Sequence, residues 1–246
     1  MPCRLTALTV DALDPARLAD FWAAALGRDV VGDRREALVP GSETQLGLRF
    51  VPSREAKVGR NRMHLHLTSA SPDDQRETVD ALLRLGASHL DVGQRPNEGH
   101  VVLADPEGNE LCVIEPGNSF LAGCGFLGEL TCAGTRDVGL FWADALGWPL
   151  VWDEHEETAV QSPRGGTKVS WGGEPVPPAH VRSRQRFDLA LVGGDLRGEV
   201  DRLTSLGAAR LVSLDDDAAE LADPDGTEFR LRVAREGPPG ISPGTP

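Results

Sequence analysis

The feature that most constrains this chain is that it repeats itself. L-A-D-F-W-A-A-A-L-G at 18–27 returns as V-G-L-F-W-A-D-A-L-G at 138–147. L-L-R-L-G-A-S-H-L at 82–90 returns as L-T-S-L-G-A-A-R-L at 203–211, and L-A-D-P-E-G-N-E-L at 103–111 as L-A-D-P-D-G-T-E-F at 221–229. Three blocks in one order, each displaced by roughly 120 residues, are the mark of a duplicated domain. The reading places the first copy at 1–117 and the second at 125–234. The junction is P-G-N-S-F-L-A-G-C-G at 116–125, where Pro and Gly interrupt the pattern. The tail, 235–246, has too little apolar surface to bury and is expected to be disordered.

Each copy divides again. In the first, L-T-A-L-T-V (5–10) has the composition of a strand. D-P-A-R-L-A-D-F-W-A-A-A-L-G then reads as a helix capped by Asp14, with Pro15 in its first turn and Gly27 as the stop. Strand candidates follow at 29–40 and 44–51. The order then restarts with M-H-L-H-L-T (63–68), a helix over 71–87 and strands near 88–92, 100–104 and 109–114. The last two are joined by D-P-E-G, whose acceptor, Pro and Gly suit a type I turn. The chain thus reads as four β-α-β-β-β units, two per copy, in an α+β fold.

Composition excludes several roles. Net charge is −13, which repels phosphate backbones and anionic lipid, so neither nucleic acid nor membrane is an expected partner. No apolar run approaches the roughly 20 residues that cross a bilayer. The first residues lack the apolar core of a signal peptide, so a cytoplasmic location is expected. Cys3, Cys112, Cys124 and Cys132 show no C-x-x-C spacing and read as reduced, buried thiols. The chain has no G-x-S-x-G, Walker loop or dinucleotide fingerprint.

The F-W-x-x-x-L-G helices (21–27, 141–147), the L-G-A helix ends and the A-D-P-[ED]-G-x-E hairpins (104–110, 222–228) resemble the vicinal oxygen chelate superfamily. That superfamily includes glyoxalase I, bleomycin-resistance proteins and extradiol dioxygenases; the likeness, over residues 4–233, is to its tandem glyoxalase-like branch. It implies that the two units of a domain curl a mixed β-sheet into a cup, with helices outside. In metal-dependent members the ligands face into the cup from the first and last strands of the units.

Strand alternation assigns faces. Met63, Leu65 and Leu67 should pack on a helix, leaving His64, His66 and Thr68 toward the cup. Likewise Glu110, Cys112 and Ile114 should face the cup while Leu111 and Val113 face the helix, and Leu5, Ala7 and Thr9 should line it in the first strand. In the second copy, matching R-F-D-L-A-L to R-M-H-L-H-L sets Asp188 at His64 and Ala190 at His66; Glu129 stands at Ala7. The resemblance implies a ligand near Ala7, another near His64, and a Glu seven residues after the Asp of each D-P-x-G turn. Those last positions hold Cys112 and Arg230, so neither copy keeps the full set. Glu129, Asp188 and Glu228 form a candidate acidic group, with Arg230 beside it.

The expected function is binding of a small organic molecule in a cup with no resident cofactor, as in resistance by sequestration or another metal-independent role. One alternative is a lyase or dioxygenase using iron, zinc or manganese on His64, His66 and Glu110; another is a vestigial interaction module. Without a metal, His64 is the candidate general base. Glu110 and Glu228 recur in both copies, which favours pairing with a cup-lining arginine, and Glu107 and Asp225 read as turn formers. Trp22 and Trp142 read as core, while Trp152 and Trp171 could stack on a planar ligand or be buried. His89, His100, His155 and His180 have no constellation around them. The assembly is expected to be a pseudo-symmetric monomer or a homodimer.

Overall fold

The computed structural model describes residues 3–33, 36–95, 98–173, 183–193, 195–211 and 217–233. His180, with the rest of 174–182, and the tail lie outside these residues.

Unit 1 runs β1 (Cys3–Ala12), α1 (Pro15–Leu26), β2 (Val31–Gly32), β3 (Ala37–Val39) and β4 (Gly47–Pro52). Unit 2 runs β5 (Met63–Leu67), α2 (Pro72–Leu85), β6 (Ser88–His89), β7 (Val101–Ala104) and β8 (Glu110–Val113). Unit 3 comprises β9 (Leu127–Ala133), α3 (Arg136–Leu146), β10 (Leu150–Glu154), β11 (Glu157–Gln161) and β12 (Lys168–Gly172). Unit 4 comprises β13 (Gln185–Leu191), α4 (Leu196–Ser205), β14 (Ala209–Arg210), β15 (Ala218–Ala222) and β16 (Glu228–Val233). The caps are those the composition calls for. Asp14, Ser71, Thr135 and Asp195 each accept a first-turn backbone N–H, and Gly27, Gly86 and Gly147 close three helices in the left-handed conformation.

Among the described residues the strands form two eight-stranded mixed sheets, and each sheet draws on both copies. The first has the order β14-β15-β16-β13-β1-β4-β3-β2 and the second β10-β11-β12-β9-β5-β8-β7-β6. Unit 1 therefore pairs with unit 4 and unit 2 with unit 3, through antiparallel β1–β13 and β5–β9 contacts. The two units of one copy do not share a cup, contrary to the expectation from the sequence.

What binds the units of a copy is the pair of motifs that identified the repeat. The Trp22 indole N–H donates to the Asp105 carboxylate at 3.1 Å, and that of Trp142 to Asp223 at 3.1 Å. The F-W helix of one unit is thereby pinned to the D-P-x-G hairpin of the next. All four side chains are buried. Glu107 and Asp225 exceed the role of turn formers. Glu107 accepts from the N–H groups of Leu13 and Asp14, and Asp225 from Thr135 N–H and hydroxyl, so each hairpin also holds the entry to a helix. Apolar faces of both sheets and the helices merge into one core, containing Leu8, Phe50, Leu67, Trp142, Phe187 and Phe229 among others.

Register corrects two readings. Ala7 lies opposite Asp188 and Glu129 opposite His66, while Phe187 pairs with Phe229 as Leu65 does with Leu111. Asp188 is thus the counterpart of His66, and Arg186 that of His64. A two-residue slip preserves alternation, so side-chain pattern could not detect it. A bulge between Leu5 and Ala7 places Leu5 opposite Leu189 in the core. Arg4, opposite Ala190, takes the cup-facing place instead.

Candidate functional site

The sheet of units 2 and 3 assembles the histidines. His66 stands in one row with Cys112 on β8 and Glu129 on β9, and His64 stands opposite Thr131. His66 Nδ1 lies 2.6 Å from Glu129 Oε2, and His66 Nε2 lies 3.0 Å from His64 Nε2. Ser170 donates its hydroxyl to the other Glu129 oxygen. The donor atoms of His64, His66 and Cys112 all fall within 4.8 Å of one another.

Burial alone would lower the His66 pKa. Hydrogen bonds to Cys112 and Glu129, with the Glu129 charge, reverse this and lift it to about 9. Burial would raise Glu129, but bonding to His66 and Ser170 holds its carboxyl below the usual range. Burial and the neighbouring His66 charge push His64 down to about 3. The network assigns an imidazolium at His66 that donates Nδ1–H to Glu129 and Nε2–H to neutral His64. His64 is therefore a weak base whose Nε2 lone pair is already engaged.

Two nitrogens and a thiol suit a borderline ion such as zinc better than a hard, oxygen-seeking one. A carboxylate behind His66 is the outer partner that a metal-bound imidazole uses. When bound, such an ion supplies Lewis acidity. Glu110 does not join the group: Lys57 Nζ holds its carboxylate at 2.7 Å, and the Asn61 N–H donates to it. Its pairing partner is thus a lysine, where an arginine was expected.

The segment after β8 closes this cup. Leu121 and Cys124 are buried against Val102, Cys112 and Ile114, with Phe120 at the margin. Thr68 Oγ donates to Gly125 O at 2.9 Å, Gln45 to Cys124 O at 2.7 Å, and Lys168 to Phe120 O while lying 4.3 Å over the Phe120 ring. Thr68 is thus a latch for the cap. Trp152, 39% exposed, meets Phe120 edge-on at 5.9 Å between ring centres. Trp171, 3% exposed, stacks parallel to Trp142 in the core and lines no cup.

The cup of units 1 and 4 is open. It forms a cleft of about 1380 Å³ whose walls include Ala7, Leu38, Trp148 and Val169 among apolar groups. Its polar floor is an ionic lattice. Asp188, 2% exposed, accepts from Arg49 Nε at 2.7 Å and Arg232 Nε at 3.0 Å. Arg49 and Arg232 also reach Glu36, at 2.7 and 3.5 Å. Arg230 follows in the row beside Asp188. The expected acidic group of Glu129, Asp188 and Glu228 does not form, because Glu129 belongs to the other sheet. With Ala7, Gly47 and Arg230 beside one carboxylate already held by two guanidiniums, this cup does not fit a metal.

The sequence reading missed Arg49, Arg232, Ser170 and Glu36. Alternation in G-L-R-F-V and F-R-L-R-V could have found the two arginines, since Leu48, Phe50, Phe229 and Leu231 are core. Glu36, outside any strand, carries no such signal.

Comparison with known proteins agrees with this architecture. The glyoxalase-like domain family model matches twice, over residues 7–114 and 129–232. Glyoxalase I from Zea mays superposes with a TM-score of 0.67 at 15% identity, covering 94% of this chain and 92% of that one. A putative dioxygenase from Bacillus subtilis superposes with a TM-score of 0.62 at 14% identity, covering 95% and 86%. Comparison with curated protein sequences finds no match. The duplicated units, the two mixed sheets and the two matched segments place the chain in the glyoxalase-like domain family, as a tandem member of the vicinal oxygen chelate superfamily.

Proposed function

We propose that this protein binds a small organic molecule in the cup of units 1 and 4, and that no metal takes part there. The observation that carries the reading is the contrast between the cups: one is a polar-floored cleft of about 1380 Å³, the other is filled by Leu121 and Cys124. Organic ligands occupy sites of roughly 300–1,000 Å³ with apolar walls and a few fixed polar groups; this open cleft exceeds that volume and has both kinds of lining. The test is two-dimensional NMR of labelled protein against a metabolite and antibiotic panel. Perturbations centred on Ala7, Leu38 and Arg230 are expected. Perturbations confined to His64, His66 and Cys112 would move the function to the other cup, and binding by no compound would favour an interaction module.

A second reading rests on the convergence of His64, His66 and Cys112. It makes the capped cup a divalent-metal centre, either structural or serving a lyase or dioxygenase reaction. Elemental analysis decides it. Stoichiometric zinc, iron or manganese that disappears in the His64→Ala/His66→Ala protein supports the centre, and its absence from protein purified without chelator counts against it.

A further inference from the structure

Five arginines line the open cup beside five carboxylates, and the ion pairs among the described residues engage three of those arginines. Asp188 is answered twice, by Arg49 and Arg232, and Glu36 accepts from the same two side chains. At the rim Arg164 pairs with Glu43 at 2.9 Å, and Asp33 and Asp217 have partners of their own. Arg230 lines the cleft, and among the described residues no ion pair holds it. Its Nε is shut off from solvent and has no hydrogen-bond partner among the described residues. Glu220 stands opposite it on β15 without forming an ion pair. Arg4, which forms no ion pair among the described residues, adds a further guanidinium on the same face, level with Ala190 and Arg232.

A buried donor left without a partner is costly, and a guanidinium fork matches an anion that offers two oxygens side by side. The whole chain carries −13, so any attraction for an anion has to be local to such a cluster. We propose that the open cup binds a small organic oxyanion, either a carboxylate or a phosphoryl-type group, whose charged end is held by Arg230. Leu38, Leu146, Trp148 and Val169 in the lining would enclose the organic part. The proposal rests on the reading that this cup is the ligand site, and it names the class of ligand.

The test is calorimetry and thermal shift on the full chain with phenylacetate, phenylphosphonate and neutral phenylacetamide. At least one anion is expected to bind and raise the melting temperature, with phenylacetamide at least tenfold weaker. The stronger anion distinguishes a carboxylate from a phosphoryl ligand. Arg230→Gln should weaken that anion at least tenfold and Arg230→Lys by less, whereas Arg17→Gln on the exposed surface of α1 should not change it. The comparison of anions with the amide needs only the wild-type protein, so misfolding of a variant cannot hide the answer. Phenylacetamide binding as tightly as the anions, or Arg230→Gln binding within twofold of wild type, would overturn the oxyanion proposal and leave the cup as a ligand site. No binding by either anion at about 10 mM, well above a millimolar Kd, would overturn it as well. If no neutral compound from a broad panel then bound, the reading of the cup as a ligand site would fail separately.

Discussion

Replacing Trp142 by phenylalanine tests whether the repeated Trp–Asp contact ties the two sheets together. The indole N–H donates to Asp223 at 3.1 Å, both groups are buried, and Trp142 also touches Trp171, Phe187 and Phe229. Phenylalanine keeps an aromatic ring but removes the donor. A hydrogen bond to a charged group contributes about 1.5–3 kcal/mol, and an abandoned buried acceptor keeps its desolvation cost. The smaller ring leaves a gap whose cost is about 1 kcal/mol, well under the 3–5 of truncation to alanine. The expected loss is therefore about 3–4 kcal/mol. In a chain of this size that lowers the melting temperature by on the order of 10 °C. Urea unfolding followed by far-ultraviolet circular dichroism gives the free energy directly. Trp22→Phe removes the equivalent bond to Asp105, so it should lose the same amount within about 1 kcal/mol. A loss below about 1 kcal/mol in either variant, or a large loss in one copy with none in the other, would refute the idea that both copies use one device.

Asp223 supplies a pH signature. Burial, with a smaller push from Asp225, raises its carboxyl to about 6 despite the bond from Trp142. The unfolded value is about 3.9, so the folded protein holds the extra proton between these limits; the stabilisation is complete below about pH 4 and lost as pH rises through 6. The unfolding free energy of wild type minus that of Asp223→Asn should therefore fall by about 2–3 kcal/mol from pH 4 to pH 7, and a flat difference would contradict the shift. Leu121→Ser should loosen the cap, raising the rate at which a thiol reagent labels Cys112 and Cys124 by at least about tenfold; unchanged labelling would mean the cap is not what shields them. Asp188→Ala removes the acceptor shared by Arg49 and Arg232. A fully buried pair broken this way loses about 3–5 kcal/mol, but both arginines keep some water and Glu36, so about 2 kcal/mol is expected by urea titration. A neutral effect would mean the lattice adds nothing to stability. Residues 1–117 expressed alone should not form a stable monomer, because β1 and β5 would each lose the neighbour that pairs with them; a monomeric, cooperatively unfolding fragment would contradict the shared sheets.

Local chemistry was legible in the sequence and long-range pairing was not. Asp14 and Gly27 announced the two ends of the first helix, and alternation set His64 and His66 on the cup side while Leu65 went to the core. Nothing local distinguishes a partner strand from unit 2 and one from unit 4, since the β1 edge offers either the same backbone groups. That choice decided which residues met, sending Glu129 to His66 and Asp188 to Arg49. A period of two also hides slips of two, which is why Asp188 was matched to His64. The bulge after Leu5 reversed a face that alternation had set correctly on its far side at Ala7. The junction at 116–125 read as a bare connection because its glycines suggested a turn, yet Phe120, Leu121 and Cys124 carry enough apolar surface to cover a cup.

The pairing of unit 1 with unit 4 and unit 2 with unit 3 has a bearing on ancestry. Two separate single-copy chains associating through the same edges would make a symmetric dimer with two identical cups, and a change in the gene would alter both at once. Joining the copies removes that constraint. Each cup now receives one wall from each half of the gene, and no residue is obliged to appear in both. The chain exhibits the divergence this permits: the row that holds Cys112, His66 and Glu129 in one cup holds Arg230, Asp188 and Ala7 in the other. One fused scaffold thus carries two cups of different chemistry, and a substitution in one row need not be matched in the other.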